Sequence, residues 1–448
     1  MNSAIPEKGK VGIVGAGMLG LTLAYRLAKL GFKVDIYEAA GSVGGLCRSY
    51  DCGAFIWDEF YHCIMPQDSY LIRLLDELGL RSEIEWKNTR TAYFRRGIFY
   101  SMSNALDYLR FPLLSFANKL RLAVFVFSLR RTKPKELQKG TAKEWILEKC
   151  GKDNYELFWQ PMLVAKFGPY NDKISASLLC ATIQRGFRAR SKLTHKEQLG
   201  YVRGGYKVIL SRLSKSLTDM GATIRLLTKA VGMDVLSDGG NPKKCRLSYT
   251  EGGQLASKVY DQVFFTGPTP GFKGTEDINP GTFDTGNSDR NAYLGAICLR
   301  LVLREPLTDY YLVNIGEDGV KLTGLVEMTN LINPQVETRG LSLVFLPRYL
   351  ASNDRQFEAF DDELTRDLIQ NGLRRLFPKF DEKTIVHSSI HRERQIQPLF
   401  FGGALPEDRP PVLKSPAQIL NTSLITAGNL FNDIVVEFVD SFVQRNFS

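Results

Sequence analysis

The run VGIVGAGMLG at residues 11–20 limits what this chain can fold into more than any other stretch. Gly15, Gly17 and Gly20 stand in GxGxxG spacing between a short apolar run and a helical repeat of apolar residues. Val11 to Val14 predicts a buried strand, Leu19 to Leu30 a helix and Lys33 to Tyr37 a second strand, which together make a β-α-β unit. The first glycine permits a tight turn, the second lets an anion approach the backbone, and the third lets helix and strand pack closely. The helix N-terminus then faces the anion with its amides. Glu38 ends the second strand eighteen residues beyond the last glycine, where a carboxylate reaches ribose hydroxyls. Gly15, Gly17, Met18, Leu19, Gly20, Glu38 and Ala39 are therefore candidate nucleotide contacts.

The residues after Glu38 narrow the nucleotide. In EAAGSVGGLCRS a second glycine pair, Gly44 and Gly45, precedes Leu46 and Arg48. Here the chain resembles the FAD superfamily of amine oxidases, protoporphyrinogen oxidases, phytoene desaturases and UDP-galactopyranose mutases, whose fingerprint continues from the ribose acid into a GG turn. Three later segments resemble the same superfamily in order. VRGGYKVILSRLSKSLTDMGATIRLLTKAV looks like its GG-led helix and strand, which implies that Val231 touches the adenine end. YDQVFFTGP implies Thr266 and Gly267 near the cofactor. LITAGNLF and the helix after it imply a turn at Gly428 and Asn429, with the helix start around Val436 aimed at the flavin ring. The resemblance thus implies FAD as cofactor, with Gly45, Leu46 and Arg48 added to its contacts.

The predicted architecture is α/β: a discontinuous Rossmann-like FAD-binding domain from residues 1–90, 197–270 and 386–448, and a substrate domain of antiparallel sheet and helices. Residues 91–196 read as a helical insertion, broken at Pro112, Pro134, Pro161 and Pro169. Residues 271–385 read as a mostly antiparallel sheet, from runs such as AICLRLVL and LSLVFLP. Thr223 to Leu227 and Gln262 to Thr266 read as strands separated by a polar, Gly-rich stretch from Ser237 to Gly253. Ser423 to Ala427 reads as a closing strand before a helix from Asp433 to Gln444.

His62, in AFIWDEFYHCIMPQD, is the candidate catalytic residue. The segment resembles the mutase branch, where a histidine lies against the flavin, although Tyr61 replaces a small residue and Met65 stands where the mutases have a second histidine. An imidazole there can change charge near neutral pH, which suits proton steering or substrate gating. Cys47, Cys52, His62 and Cys63 lack zinc spacing, and no metal site is expected. His195, His387 and His391 read as isolated. Phe158, Trp159, Phe167 and Tyr170 could wall an apolar tunnel or simply pack a core. Tyr310, Tyr311, Asn314, Glu327, Asn330, Arg348 and Tyr349 fall near strand ends of the predicted sheet, and the sequence does not choose among them.

Charge separates the remaining partners. The net charge is +10, and residues 87–139 carry twelve basic side chains against two acidic ones, so this insertion accounts for the whole excess. No nucleic-acid motif accompanies it, and no nucleic acid is expected as a partner. Within residues 110–131 an apolar run is flanked by Arg110, Lys119, Arg121, Arg130 and Arg131, a pattern that fits either a peripheral membrane contact or a core helix with a solvated basic face. Hydrophobic residues at 44% and charged residues at 24% exclude both a disordered chain and a bundle of membrane spans. Seven scattered cysteines without a CxxC pair point to a reduced compartment. With no apolar leader in MNSAIPEKGK, a cytoplasmic location is expected, peripheral on the membrane if the insertion binds lipid. Oligomeric state is left open.

The resemblance implies an FAD-dependent oxidoreductase that takes a hydride from a C–H bond of a lipophilic or partly lipophilic small molecule onto flavin N5. The alternative is a mutase-like flavoenzyme without net redox change, acting on a nucleotide sugar or glycan precursor.

Overall fold

The structure, a computed structural model, describes residues 8–129, 131–137, 139–188, 197–238, 241–267, 293–402, 417–420 and 432–447. In chain order its strands begin with β1 (Lys10–Val14), β2 (Lys33–Tyr37), β3 (Ser49–Asp51), β4 (Ile56–Asp58), β5 (Ile84–Asn88), β6 (Thr91–Arg95) and β7 (Ile98–Ser101). They continue with β8 (Gln198–Val202), β9 (Thr223–Arg225), β10 (Thr228–Asp238), β11 (Asn241–Glu251), β12 (Gln254–Tyr260) and β13 (Gln262–Phe265). The last are β14 (Tyr293–Leu303), β15 (Leu312–Ile315), β16 (Gly324–Glu327), β17 (Ser342–Ala351), β18 (Ile385–Pro398) and β19 (Ala417–Ile419).

A five-stranded parallel sheet in the order β19-β13-β1-β2-β9 carries the predicted β-α-β unit at its centre. Helices cover it, so β1 is apolar almost throughout, and Val11 and Ile13 have no exposed surface. The helices Met18–Lys29, Ser69–Glu77, Tyr206–Asp219 and Asn432–Phe447 share its core through Leu21, Leu74, Leu213 and Val439. Strand order reverses at β1, and in such sheets ligands bind beyond the carboxyl ends of the strands at that switch point.

Above this layer lies a seven-stranded sheet in the order β18-β14-β17-β16-β15-β6-β7, antiparallel except where β6 runs parallel to β15. Two expectations are corrected here. The insertion predicted as helical from residue 91 opens with the hairpin β6-β7, which forms one end of this sheet, with Ala92, Tyr93 and Phe94 buried. Residues 386–398, assigned to the FAD-binding domain, instead run in β18 beside β14 over most of its length. The polar stretch from Ser237 to Gly253 is a third correction. It forms much of the antiparallel meander β10-β11-β12, whose alternate residues Met233, Cys245, Leu247 and Tyr249 pack with Tyr37 and Tyr260. Half of each meander strand faces water, which is why its composition reads as loop.

The remaining insertion is helical, with Ala105–Arg110, Phe116–Ser128, Ala142–Cys150, Gln160–Phe167 and Ala176–Arg188. Pro161 does not break it. A π-turn at Tyr155–Trp159 leads without interruption into Gln160–Phe167, so the irregular turn sits immediately before the proline, where the regular hydrogen-bond ladder is already shifted. No helix among the described residues is long and apolar enough to cross a membrane.

Candidate active site

The first predicted helix starts at Met18 with Gly17 as an extended N-cap, no side-chain cap and no acidic residue in its first turn. Its leading amides are thus left to a ligand, and the dipole favours an anion there. Gly15 has φ 106°, and a Cβ on it would lie 2.7 Å from Thr266 Oγ1. A Cβ on Gly20 would fall 2.0 Å from the Gly15 carbonyl oxygen, so only hydrogen fits where helix meets turn. Gly44, at φ 125°, donates its N–H to Ala16 O at 2.8 Å and bridges to Gly17. The second glycine pair therefore lies directly against the first, with Gly45 and Leu46 in the short 3-10 turn Gly45–Cys47.

Glu38 accepts two backbone N–H bonds, from Ala16 and Ala40, each at 2.8 Å. These tie the carboxylate to the glycine turn and leave lone pairs for hydroxyl donors. Ala39 is exposed beside it, while Met18 and Leu19 are buried in the helix's first turn. Val231 is the unpaired residue of a bulge in β10 and is 47% exposed, so its backbone groups are free of the ladder. Thr266 donates to Val14 O at 2.9 Å, which sets it and Gly267 against the same turn. An uncapped helix end, a cradle that Cβ atoms would fill and a carboxylate at the ribose distance in sequence fit an FAD moiety.

The closing helix corrects one expectation. Val436 is one turn inside Asn432–Phe447 and has no exposed surface, being part of the sheet-and-helix core. Asn432, at the helix start, donates from Nδ2 to Cys47 Sγ at 3.4 Å. Asp433 beside it accepts the Tyr70 and Leu71 amides at 2.8 and 2.9 Å, pinning this helix to Ser69–Glu77. Gly428, Asn429 and the strand predicted from Ser423 to Ala427 lie outside the described residues.

His62 sits within this cluster. Its Nε2 is 3.6 Å from Cys47 Sγ, its Nδ1 is 3.7 Å from Asp58 Oδ2, and its ring packs on Tyr206 at 4.8 Å between centroids. Burial opposes an imidazolium there, but the Cys47 sulfur and the Asp58 carboxylate outweigh it and push the His62 pKa up to about 10. Asp58, itself buried, accepts the Tyr206 amide at 2.9 Å, and burial pushes its carboxyl above the usual range.

Next to His62, Tyr61 reaches across to the seven-stranded sheet, where its hydroxyl meets that of Tyr349. Phe345 flanks Tyr61 at 6.0 Å and the buried Tyr311 hydroxyl faces Cys63. Of the seven strand-end residues the sequence could not rank, the structure thus turns Tyr311 and Tyr349 toward this segment. Glu327 is enclosed, accepting from Ser342, Thr329 and the Leu307 amide. Arg348 pairs with Asp367, Tyr310 lies under Arg90, and Asn330 caps the Thr308 and Tyr310 carbonyls. Phe158, Trp159 and Phe167 are buried in the helical core with Trp145 and Phe111 and are packing residues. Tyr170 stacks on Phe401.

Sequence reading missed one group entirely. Arg48 pairs with Glu59, and Glu59 Oε1 accepts from His391 Nδ1 at 2.8 Å. His391 is therefore not isolated. The signal was long-range register, since β18 sets His391 opposite Cys298 and Ser389 opposite Arg300.

A parallel sheet with a glycine-cradled switch point, facing a mostly antiparallel sheet across a histidine and paired phenols, defines a two-layer dinucleotide-dependent enzyme. The profile of the flavin containing amine oxidoreductases matches residues 19–404, and the chain belongs to that family. By class it is a flavoprotein with FAD as its cofactor. Over 142 residues, 31% of this chain, it is 30% identical to protoporphyrinogen oxidase 2, chloroplastic/mitochondrial, from Arabidopsis thaliana, and that match spans only 28% of the plant enzyme's length. Its fold resembles that of a candidate protoporphyrinogen oxidase from Exiguobacterium sp. 255-15, with TM-score 0.74 at 15% identity over 98% of both chains. It also resembles reduced UDP-galactopyranose mutase, with TM-score 0.72 at 17% identity over 98% of this chain and 97% of that one.

Proposed function

We propose that this enzyme takes a hydride from a C–H bond of a lipophilic or partly lipophilic small molecule. The observation that carries the reading is the opposition of the glycine cradle and His62 to an apolar, phenol-bearing sheet face, reached through Tyr61 and Tyr349. When bound, FAD supplies the hydride acceptor at its isoalloxazine N5. The chain's own residues bind and orient. Gly15, Gly17 and Gly20 admit the pyrophosphate, Glu38 holds ribose hydroxyls, Val231 presents backbone at the adenine end, and Arg48 offers a cation at the second glycine turn. His62 holds a proton at the edge of the cofactor site, where Asp58 and Cys47 favour its charged form. Tyr61, Tyr349 and Phe345 exclude water from the reacting carbon and position an apolar substrate.

Anaerobic addition of substrate to the purified holoenzyme tests this. Bleaching of the oxidised flavin bands without another reductant supports the hydride reading. Turnover only after dithionite reduction, with no net bleaching, replaces it with the mutase-like reading that the neighbour fold and His62 favour.

We further propose that the enzyme contacts a membrane surface through residues 110–131. The helix Phe116–Ser128 turns Phe116, Leu120, Val124 and Phe127 outward, with Arg110 and Arg121 also exposed. An apolar stripe of this size flanked by cations suits an anionic lipid interface.

A further inference from the structure

Arg300 on β14 is a buried cation with no exposed surface. Its guanidinium lies 4.0 Å over the Tyr50 ring and donates to Asp58 O at 3.2 Å, Ser389 Oγ at 3.1 Å and His391 Nε2 at 2.9 Å. Because a guanidinium only donates, His391 Nε2 must accept, so the ring's proton is on Nδ1 and is given to Glu59 at 2.8 Å. Burial and the Arg300 charge both disfavour an imidazolium, which keeps this tautomer neutral. Burial works against an ionised Glu59, but His391 and Arg48 outweigh it and hold that carboxyl below its ordinary range.

Two arginines therefore share one carboxylate, Arg48 directly and Arg300 through His391. The cluster carries one cation more than it has anions, and its accessible end is Arg48, whose side chain is 35% exposed immediately after the Gly45–Cys47 turn. The Glu59 amide also donates to the Arg48 carbonyl at 2.9 Å, which locks the backbone of the pair. Arg48 spends Nε and Nη2 on Glu59, and among the described residues its Nη1 has no hydrogen-bond partner.

We propose that Glu59, His391 and Arg300 form a positioning relay that holds the Arg48 guanidinium toward the cofactor's pyrophosphate, so that strands of the upper sheet set FAD affinity. This rests on the reading of Arg48 as a cofactor contact. The relay makes pre-organisation of the nucleotide site depend on residues 59, 300 and 391, none of which belongs to the glycine cradle.

Fluorescence titration of the apoprotein with FAD at fixed pH and salt tests it. Arg48→Gln should weaken binding about tenfold or more, the scale of one lost charged hydrogen bond. Glu59→Gln, which preserves shape, and His391→Leu should each do the same. His391→Gln, whose amide can accept from Arg300 and donate to Glu59, should bind within about threefold of wild type. In an Arg48→Gln background His391→Leu should add less than about threefold, because its effect runs through Arg48. If Arg48→Gln binds as wild type, the cofactor role of Arg48 fails and the relay with it. If Arg48→Gln weakens binding while Glu59→Gln does not, or if the His391→Leu effect multiplies with that of Arg48→Gln, only the relay is overturned.

Discussion

Replacing Phe116 and Phe127 by serine should release the enzyme from lipid vesicles without altering its fold. Phe116 is 79% exposed and Phe127 62%, whereas Leu122 and Phe125 on the opposite side of the same helix are 6% and 2% exposed. At ~100° per residue, positions 116, 120, 124 and 127 form one stripe, and Lys119 and Arg121 lie roughly 100° to either side of it. Complete burial of a phenylalanine contributes up to ~3 kcal/mol, so two rings about two-thirds exposed hold ~4 kcal/mol in reserve. Half-depth seating in the interface realises ~2 kcal/mol, or about 30-fold in partition. The two flanking cations add about 1 kcal/mol each, on anionic lipid only. Vesicle sedimentation with phosphatidylcholine alone and with added phosphatidylserine separates the two contributions. Phe116→Ser/Phe127→Ser should lose about 30-fold on both surfaces. Lys119→Gln/Arg121→Gln should lose a similar factor only where phosphatidylserine is present. Thermal unfolding should move by less than ~0.5 kcal/mol in either variant, since neither touches the core. A wild-type protein that stays in the supernatant with anionic vesicles, or a serine variant that sediments like wild type, refutes the membrane reading.

The nucleotide site sets further outcomes. Glu38→Ala should lower FAD occupancy measured by flavin absorbance, and it should cost the apoprotein ~1–3 kcal/mol in chemical denaturation because the Ala16 amide loses its acceptor. Gly20→Ala should abolish FAD binding, since its Cβ would sit 2.0 Å from a backbone oxygen that cannot move independently. Gly15→Ala meets a side-chain hydroxyl instead, and a second change, Thr266→Ala, should partly relieve it in the same titration. His62, raised in the folded state to about 10, contributes stability that is complete below about pH 6.5 and is lost as pH rises toward 10. The apoprotein's melting temperature should therefore fall across that window. His62→Gln should flatten the slope, and an unchanged slope would show that the charge resides elsewhere.

The parts of this enzyme legible in its sequence are those imposed by local backbone chemistry. A positive φ at Gly15, the contact at Gly20 and the apolar strand β1 are demands that neighbouring residues declare by themselves, and the amphipathic helix Tyr206–Asp219 declares itself by periodicity. Half-solvated elements did not announce themselves. The meander β10-β11-β12 reads as polar loop because only alternate residues are buried, and β6-β7 was hidden in a segment whose neighbours are helices.

Within the site, the sequence by itself marked out the glycine turn, Glu38 and His62 as candidates, and the local geometry of the turn followed from it. Tertiary structure alone decided that Val436 is enclosed in the core while Asn432 meets Cys47, that Tyr61 reaches Tyr349, and that Glu59 meets His391 across 332 residues of chain. The physical reason is separation. A turn's conformation is set by a few adjacent residues, but a buried charge is satisfied by whichever strand register brings a donor or acceptor within ~3 Å, and no local pattern encodes that pairing.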